Sequence, residues 1–348
     1  MNQEIPSRLV PRFARLLRRT QGPYTLVSAA PPILYVQMAE GTLADFLEDF
    51  QMLFQALRGQ PVHLLCCHGG IEENLLQGSL EIAARCAEAF PDLHFHHLCN
   101  EEKSVEEWRR QGLQAIHCNH NAFVDERVFR PLDGQPKRYR AVYDARLVPL
   151  KRHELAAEVQ DLALIYYVVP VVDDMEYVCK VQQDLAGAHC FNLEAGNYRL
   201  LDSTALNHSL NDCGVGLCLS EAEGSMYAAG QYLLSGLGVV TTPSRGGRDC
   251  FWDAQSALEV EATPQAVCEG VTEMLSRQLD PWQVHHSTLR RMQIHRQRFF
   301  ELVESIWRAQ GVEKRLADEW PGLFFNRFLR NQNHLETIDR ISGAAGRP

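Results

Sequence analysis

Apolar and β-branched residues recur along this chain in two alternating rhythms. Short apolar runs bounded by polar or turn-forming positions predict strands at 24–28, 33–37, 62–67, 93–99 and 115–119. Between them, apolar positions return every three to four residues over 43–57, 75–90 and 104–111, which predicts helices, the last one stopped by Gly112. Such alternation implies a parallel sheet covered by helices. A charged loop over 125–137 carries Pro131, Gly134 and Pro136 and reads as a domain boundary. The rhythm then restarts, with strands expected at 140–143, 162–169, 189–193, 215–219, 239–242 and 257–260. Helices are expected at 151–160, 176–184, 204–211, 226–235 and 263–276. Helical spacing continues over 287–309 and 323–331, and residues 342–348 read as a loose tail. The expected organisation is α/β, with domains at 1–135 and 136–310 and a C-terminal helix and tail over 311–348.

Composition narrows the function. The 348 residues are 45% hydrophobic and 22% charged, and a chain of this size buries a core without staples. The net charge of -10 argues against a nucleic-acid partner, which calls for a basic face. Eleven cysteines are scattered without CxxC spacing, which points to free thiols in a reducing, cytoplasmic compartment. The longest apolar run, 162–172, is too short to span a bilayer.

Chemistry concentrates in 211–253. Glu223-Gly224-Ser225 stands directly before the predicted helix that begins near Met226 and Tyr227. A helix start offers free N–H groups and a positive dipole end, which suits a phosphate. A carboxylate beside it can accept hydrogen bonds from sugar hydroxyls. Arg245 and Arg248 flank Gly246-Gly247 after the next strand, where α/β proteins place ligands.

This segment resembles the donor site of retaining GT-B glycosyltransferases, in particular family 4. There a glutamate opens an EG loop, a second glutamate follows after seven residues, and a PVV-type strand comes next. Glu223 and Gly224 match the opening, Gln231 stands at the second glutamate, and Gly238 precedes Val239-Val240 in place of proline. Upstream, Ala145-Arg146-Leu147 through Lys151-Arg152 resembles the family's GRL…KG segment, with Arg152 at the glycine position. In the family, that arginine and lysine neutralise the diphosphate of the sugar nucleotide. Residues 119–131 resemble the PNGVD segment that closes the N-terminal domain. The three matches run from about 115 to 275.

The resemblance implies a GT-B architecture, two Rossmann-like parallel-sheet domains facing a cleft, with the second binding a nucleotide-diphospho-sugar. It implies transfer of the sugar, with retention, to a glycan, lipid-linked or small-molecule acceptor, and no cofactor beyond the donor itself. The candidate catalytic residues are Glu223, Arg146, Lys151 and His68. The donor-binding candidates are Gly224, Ser225, Met226, Tyr227, Gln231, Arg245, Gly246 and Gly247. His68 follows a strand and precedes Gly69-Gly70, so it is expected at the mouth of the first domain. Asp173-Asp174 reads as a helix cap and not as a metal motif, and no metal site is expected. Five arginines among 8–19 alternate with apolar residues, a pattern that packs as a surface helix or rests on anionic lipid. Two rivals remain: a nucleotide-sugar epimerase of the same fold, and a non-catalytic glycan- or nucleotide-binding protein.

Overall fold

Residues 19–39, 43–169, 172–194 and 197–345 are described by the structure, a computed structural model. The basic stretch lies outside them up to residue 18. The chain divides into two units, residues 1–120 with 297–348 and residues 121–296.

Unit 1 holds strands β1 (Gln21–Ala29), β2 (Pro32–Met38), β3 (Val62–His68), β4 (Leu93–Cys99) and β5 (Ala115–His117). They lie side by side in chain order, and a sixth strand, Asn331–Asn333, flanks β1. β2 to β5 are parallel, but β1 runs antiparallel to both neighbours. The expectation of a wholly parallel sheet fails there because only Ala30 and Pro31 separate β1 from β2. A parallel crossover needs a dozen residues or more. Helices α1 (Glu72–Ala89) and α2 (Glu102–Arg110) follow β3 and β4. The helix expected over 43–57 is split into Phe46–Asp49 and Gln51–Ala56, and the Phe50 ring at the break packs on Tyr24, Phe46 and Phe54.

Near the chain end, the helix expected over 323–331 does not form; a helix at Leu316–Leu323 ends where it was expected to begin. The four-residue spacing of Phe324 and Phe328 arises from burial against Trp320, not from a helix through them. The expected tail is helical as far as Ala345, within His334–Ala345.

Unit 2 holds β6 (Tyr139–Asp144), β7 (Leu162–Ile165), β8 (His189–Cys190), β9 (Cys213–Cys218), β10 (Gly238–Thr241) and β11 (Ala257–Glu259). The order is β11-β10-β9-β6-β7-β8, and every pairing is parallel. Its central strands are covered on both faces, so they read as unbroken apolar runs. α3 (Tyr227–Leu234) crosses β9 at Gly216, where a Cβ would stand 2.3 Å from the Tyr232 ring. The missing side chain lets Tyr232 reach β6, where its hydroxyl accepts from Asp144 N at 2.6 Å. The helix expected over 151–160 is replaced by two 3₁₀ turns, Pro149–Lys151 and His153–Ala156. Arg152 between them has φ 49°, which an α-helix does not admit.

The units differ from the expected boundaries. Residues 121–135 belong with unit 2, because Arg130 N and Leu132 N donate to the Asn207 and Asn211 side chains. Residues 297–348 complete unit 1: Asn331–Asn333 pairs with β1, Trp307 Nε1 donates to Ser28 Oγ at 3.1 Å, and Tyr35 packs on Phe299 and Phe328.

Candidate functional site

The loops that leave the carboxyl ends of β6, β9 and β10, three neighbouring strands of unit 2, carry all the candidate residues except His68 and the two on α3, Tyr227 and Gln231. Backbone bonds join these loops. Glu223 N donates to Arg245 O at 2.8 Å, Arg245 N to Glu221 O at 3.1 Å and Gly247 N to Gly224 O at 2.9 Å. Glu221 N also donates to Leu150 O at 3.2 Å, which ties in the third loop. Gly246 makes its turn at φ 107°, a conformation that a side chain would oppose.

Glu223 and Lys151, 72 residues apart in the chain, form an ion pair. The Ser220 hydroxyl donates to the same carboxylate oxygen at 2.6 Å. Only 18% of the Lys151 side chain and 13% of the Glu223 side chain are exposed. Arg146 pairs instead with Asp173, whose other oxygen accepts from Val169 N at 2.6 Å. The neighbouring Asp174 caps helix Met175–Asp184, accepting from Glu176 N at 3.0 Å. Arg245 is exposed and, among the described residues, has no side-chain partner.

The start of α3 is held in an unusual shape. Met226 is buried and has φ 36°, a region that costs a side-chain-bearing residue about 1–3 kcal/mol. Asn121 offsets this: its amide donates to the carbonyls of Ser225 and Met226, and Ser225 Oγ donates to Asn121 Oδ1 at 3.2 Å. The turn so fixed leaves the first N–H groups of α3, beginning at Tyr227, directed out of the helix start. Gln231 lies buried one turn further on, and its side-chain amide makes no hydrogen bond to a described residue.

Three residues behave otherwise than their place in the sequence implies. Arg248 is fully buried and donates to Cys218 O, Ser220 O, Thr241 Oγ1 and Thr242 O, so it braces the ends of β9 and β10 and contacts no solvent. Arg152, at the family's glycine position, takes the left-handed conformation a glycine would. Its guanidinium donates to Leu219 O and Thr242 Oγ1, both at 2.7 Å. His68 does not open onto a surface: it is buried, stacks on Trp108 with ring centroids 4.5 Å apart, and contacts Glu72 at 3.2 Å and His97 at 3.3 Å. It closes β3 with its side chain turned under α1 and α2, and so does not stand where a substrate would meet it.

Sequence reasoning passed over Asp144, Ser220, Asn121 and the tie between Asp173 and Arg146. Asp144 ends β6, and burial pushes its carboxyl up to about 7 against the opposing pull of Lys151. Its one sequence signal is an acid closing an apolar run. His153 packs on Tyr143, and burial pushes it down to about 4. Among the described residues of unit 1, His68, Glu72 and Cys99 bring ligand atoms within 4.8 Å of one another. That set is already satisfied internally: Glu72 accepts from His68 and from Asn100 N, and burial pushes the Cys99 thiol well up.

No protein-family model matches the chain, and no curated protein sequence does. Solved structures do. Alr3699/HepE of Anabaena, crystallised with UDP and glucose, is 13% identical over 87% of this chain and 84% of its own, with a TM-score of 0.55. Sucrose-phosphate synthase of Thermosynechococcus elongatus is 14% identical over 78% of this chain and 79% of its own, with a TM-score of 0.56. At such identities the likeness is one of fold, and with the two sheets described above it assigns the chain to the GT-B fold, two Rossmann-like α/β domains with a helical C-terminus.

Proposed function

We propose that this protein transfers a glycosyl group from a nucleoside-diphosphate sugar to an acceptor, with retention at the anomeric carbon. The observation that carries this reading is the pairing of Lys151 with Glu223 beside the start of α3, on loops shared by three neighbouring strands. UDP and glucose in the crystal of Alr3699/HepE, which has the same fold, support a donor of this kind. The leaving nucleoside diphosphate gains charge as the glycosidic bond breaks. Lys151, Arg146, Arg245 and the free N–H groups of α3 are donors for that charge and need no metal ion to supply it. Donor binding draws Lys151 toward phosphate, which frees Glu223 to accept from a sugar hydroxyl while Ser220 holds its other contact. Asn121 keeps the α3 turn in place throughout.

Gln231 favours a second reading, binding of the nucleotide sugar without turnover. An uncharged amide replaces the second carboxylate of the family pattern and lies buried with no side-chain hydrogen bond to a described residue. The two readings separate in one experiment. UDP, GDP, ADP, dTDP and CDP, with their common sugars, are screened by thermal shift and calorimetry against wild type and K151A, and released nucleoside diphosphate is then measured with candidate acceptors. A nucleotide at 100 times its Kd adds about 2.7 kcal/mol of stability. Stabilisation by one nucleotide, weakened in K151A and followed by turnover, is expected. Binding without turnover leaves the second reading, and a folded protein that responds to no nucleotide refutes both.

A further inference from the structure

We propose that Asp173 is the positioning residue for Arg146, holding the guanidinium by one amino group so that its remaining N–H groups meet a diphosphate. The proposal rests on the donor-site reading above and adds a residue to it. Four observations carry it. The Asp173 carboxylate is 1% exposed and bonds Arg146 Nη2, whereas the Arg146 side chain is 28% exposed. Asp173 is itself held, since its second oxygen accepts from Val169 N at 2.6 Å. The Tyr167 ring, from the same loop, lies 5.8 Å from the guanidinium carbon. Finally, Arg146 Nε has no acceptor among the described residues.

A buried N–H without an acceptor is unfavourable, and an oxygen from outside the chain relieves it. With 28% of its side chain exposed and one amino group held by Asp173, the guanidinium keeps N–H groups that an anion can reach. Asp173 is no mobile competitor for those groups, because its own hydrogen bond and burial anchor it to the loop. It fixes an otherwise flexible side chain beforehand, and preorganisation of this kind raises affinity. Adjacent aspartates thus divide two tasks, Asp174 starting a helix and Asp173 seating a cation.

Charge alone predicts the opposite sign, since removing a carboxylate makes the site more positive and would tighten anion binding. The test uses the full chain and inorganic pyrophosphate as the probe, titrated by calorimetry against wild type, D173N, R146K and D173N/R146K, with circular dichroism and melting as checks of folding. D173N keeps a side-chain oxygen for Val169 N and removes the charge that holds Arg146. The expected result is about five-fold weaker pyrophosphate binding in D173N, and no further loss when D173N is added to R146K. A merely structural role would cost the same in both backgrounds. Equal or tighter binding by D173N, or equal losses in both backgrounds, overturns the proposal and leaves the donor site standing. Binding that is unchanged in R146K, or absent from folded wild type, removes Arg146 from anion binding and overturns the donor-site reading with it.

Discussion

Replacing Asp144 by asparagine removes one titrating proton from the end of β6 without changing the size of the side chain. In the folded chain the carboxyl is pushed up from 3.8 to about 7, by burial first and despite Lys151. Well below pH 3.8 the group is protonated whether the chain is folded or not. Between pH 4 and 7 the unfolded chain loses this proton and the folded chain keeps it, so the folded state binds more protons. Stability from this residue therefore falls as pH rises through that window, and the deficit is constant above it. A shift of about three units at about 1.4 kcal/mol each gives a loss of about 4 kcal/mol by pH 8. D144N escapes it. Other groups, such as His153, titrate equally in both proteins and cancel in the comparison. Urea unfolding of wild type and D144N at pH 4, 6 and 8 reads the difference directly. D144N should match wild type at pH 4 and exceed it by about 4 kcal/mol at pH 8, or about 8–16 °C in Tm for a unit of this size. A difference that stays constant from pH 4 to 8 refutes the argument, because it would mean that Asp144 ionises alike in both states.

Further outcomes follow from the same geometry. G216A places a methyl against the Tyr232 ring and should lower stability by about 3 kcal/mol in denaturant titration, with Y232F losing less. R248M removes a buried donor from the carbonyls of Cys218, Ser220 and Thr242 and should lose about 4 kcal/mol, so melting distinguishes it from a ligand-contact variant. E223Q should lower transfer about 100-fold while the protein still binds nucleoside diphosphate, as product-release kinetics and calorimetry would record. Chelation by EDTA should leave transfer unchanged, and a loss restored by a divalent ion would refute the metal-free reading.

The inner strands β7, β9 and β10 of unit 2 were legible because burial on both faces writes them as apolar runs, and β3 was legible for the same reason. The direction of β1 was not, since an apolar run carries no sign of polarity; the short link through Ala30 and Pro31 did carry it. Residues 151–156 misled because their composition suits a helix, while the backbone at Arg152 is set by bonds to Leu219 and Thr242 far away in sequence. The loop around Pro131 looked like a boundary, yet its N–H groups belong to Asn207 and Asn211. In the site, the neighbourhood of Lys151 and Glu223 could be anticipated from motif order alone. The partner of Arg146 could not, because Asp173 stands 27 residues on with no spacing rule to link them. His68 shows the limit of placing a residue by its strand end: position along β3 was right, but which way the ring turned was decided by Trp108.

Unit 1 is written in two pieces, residues 1–120 and 297–348, around a unit that is written in one. A ribosome delivers these pieces far apart in time. At about 5–20 residues per second, the 176 residues between them occupy about 9–35 s. Throughout that interval β1 lacks the strand that pairs with its outer edge, and Tyr35 lacks Phe299 and Phe328. Unit 2 has every strand of its sheet and can fold as it emerges, whereas the nascent first sheet carries an unpaired edge and an uncovered apolar face until the last helix leaves the tunnel. Emergence of residues 297–348, rather than synthesis of the first 120, is thus the event that completes unit 1, and holdase chaperones that recognise exposed strand edges have that interval in which to act.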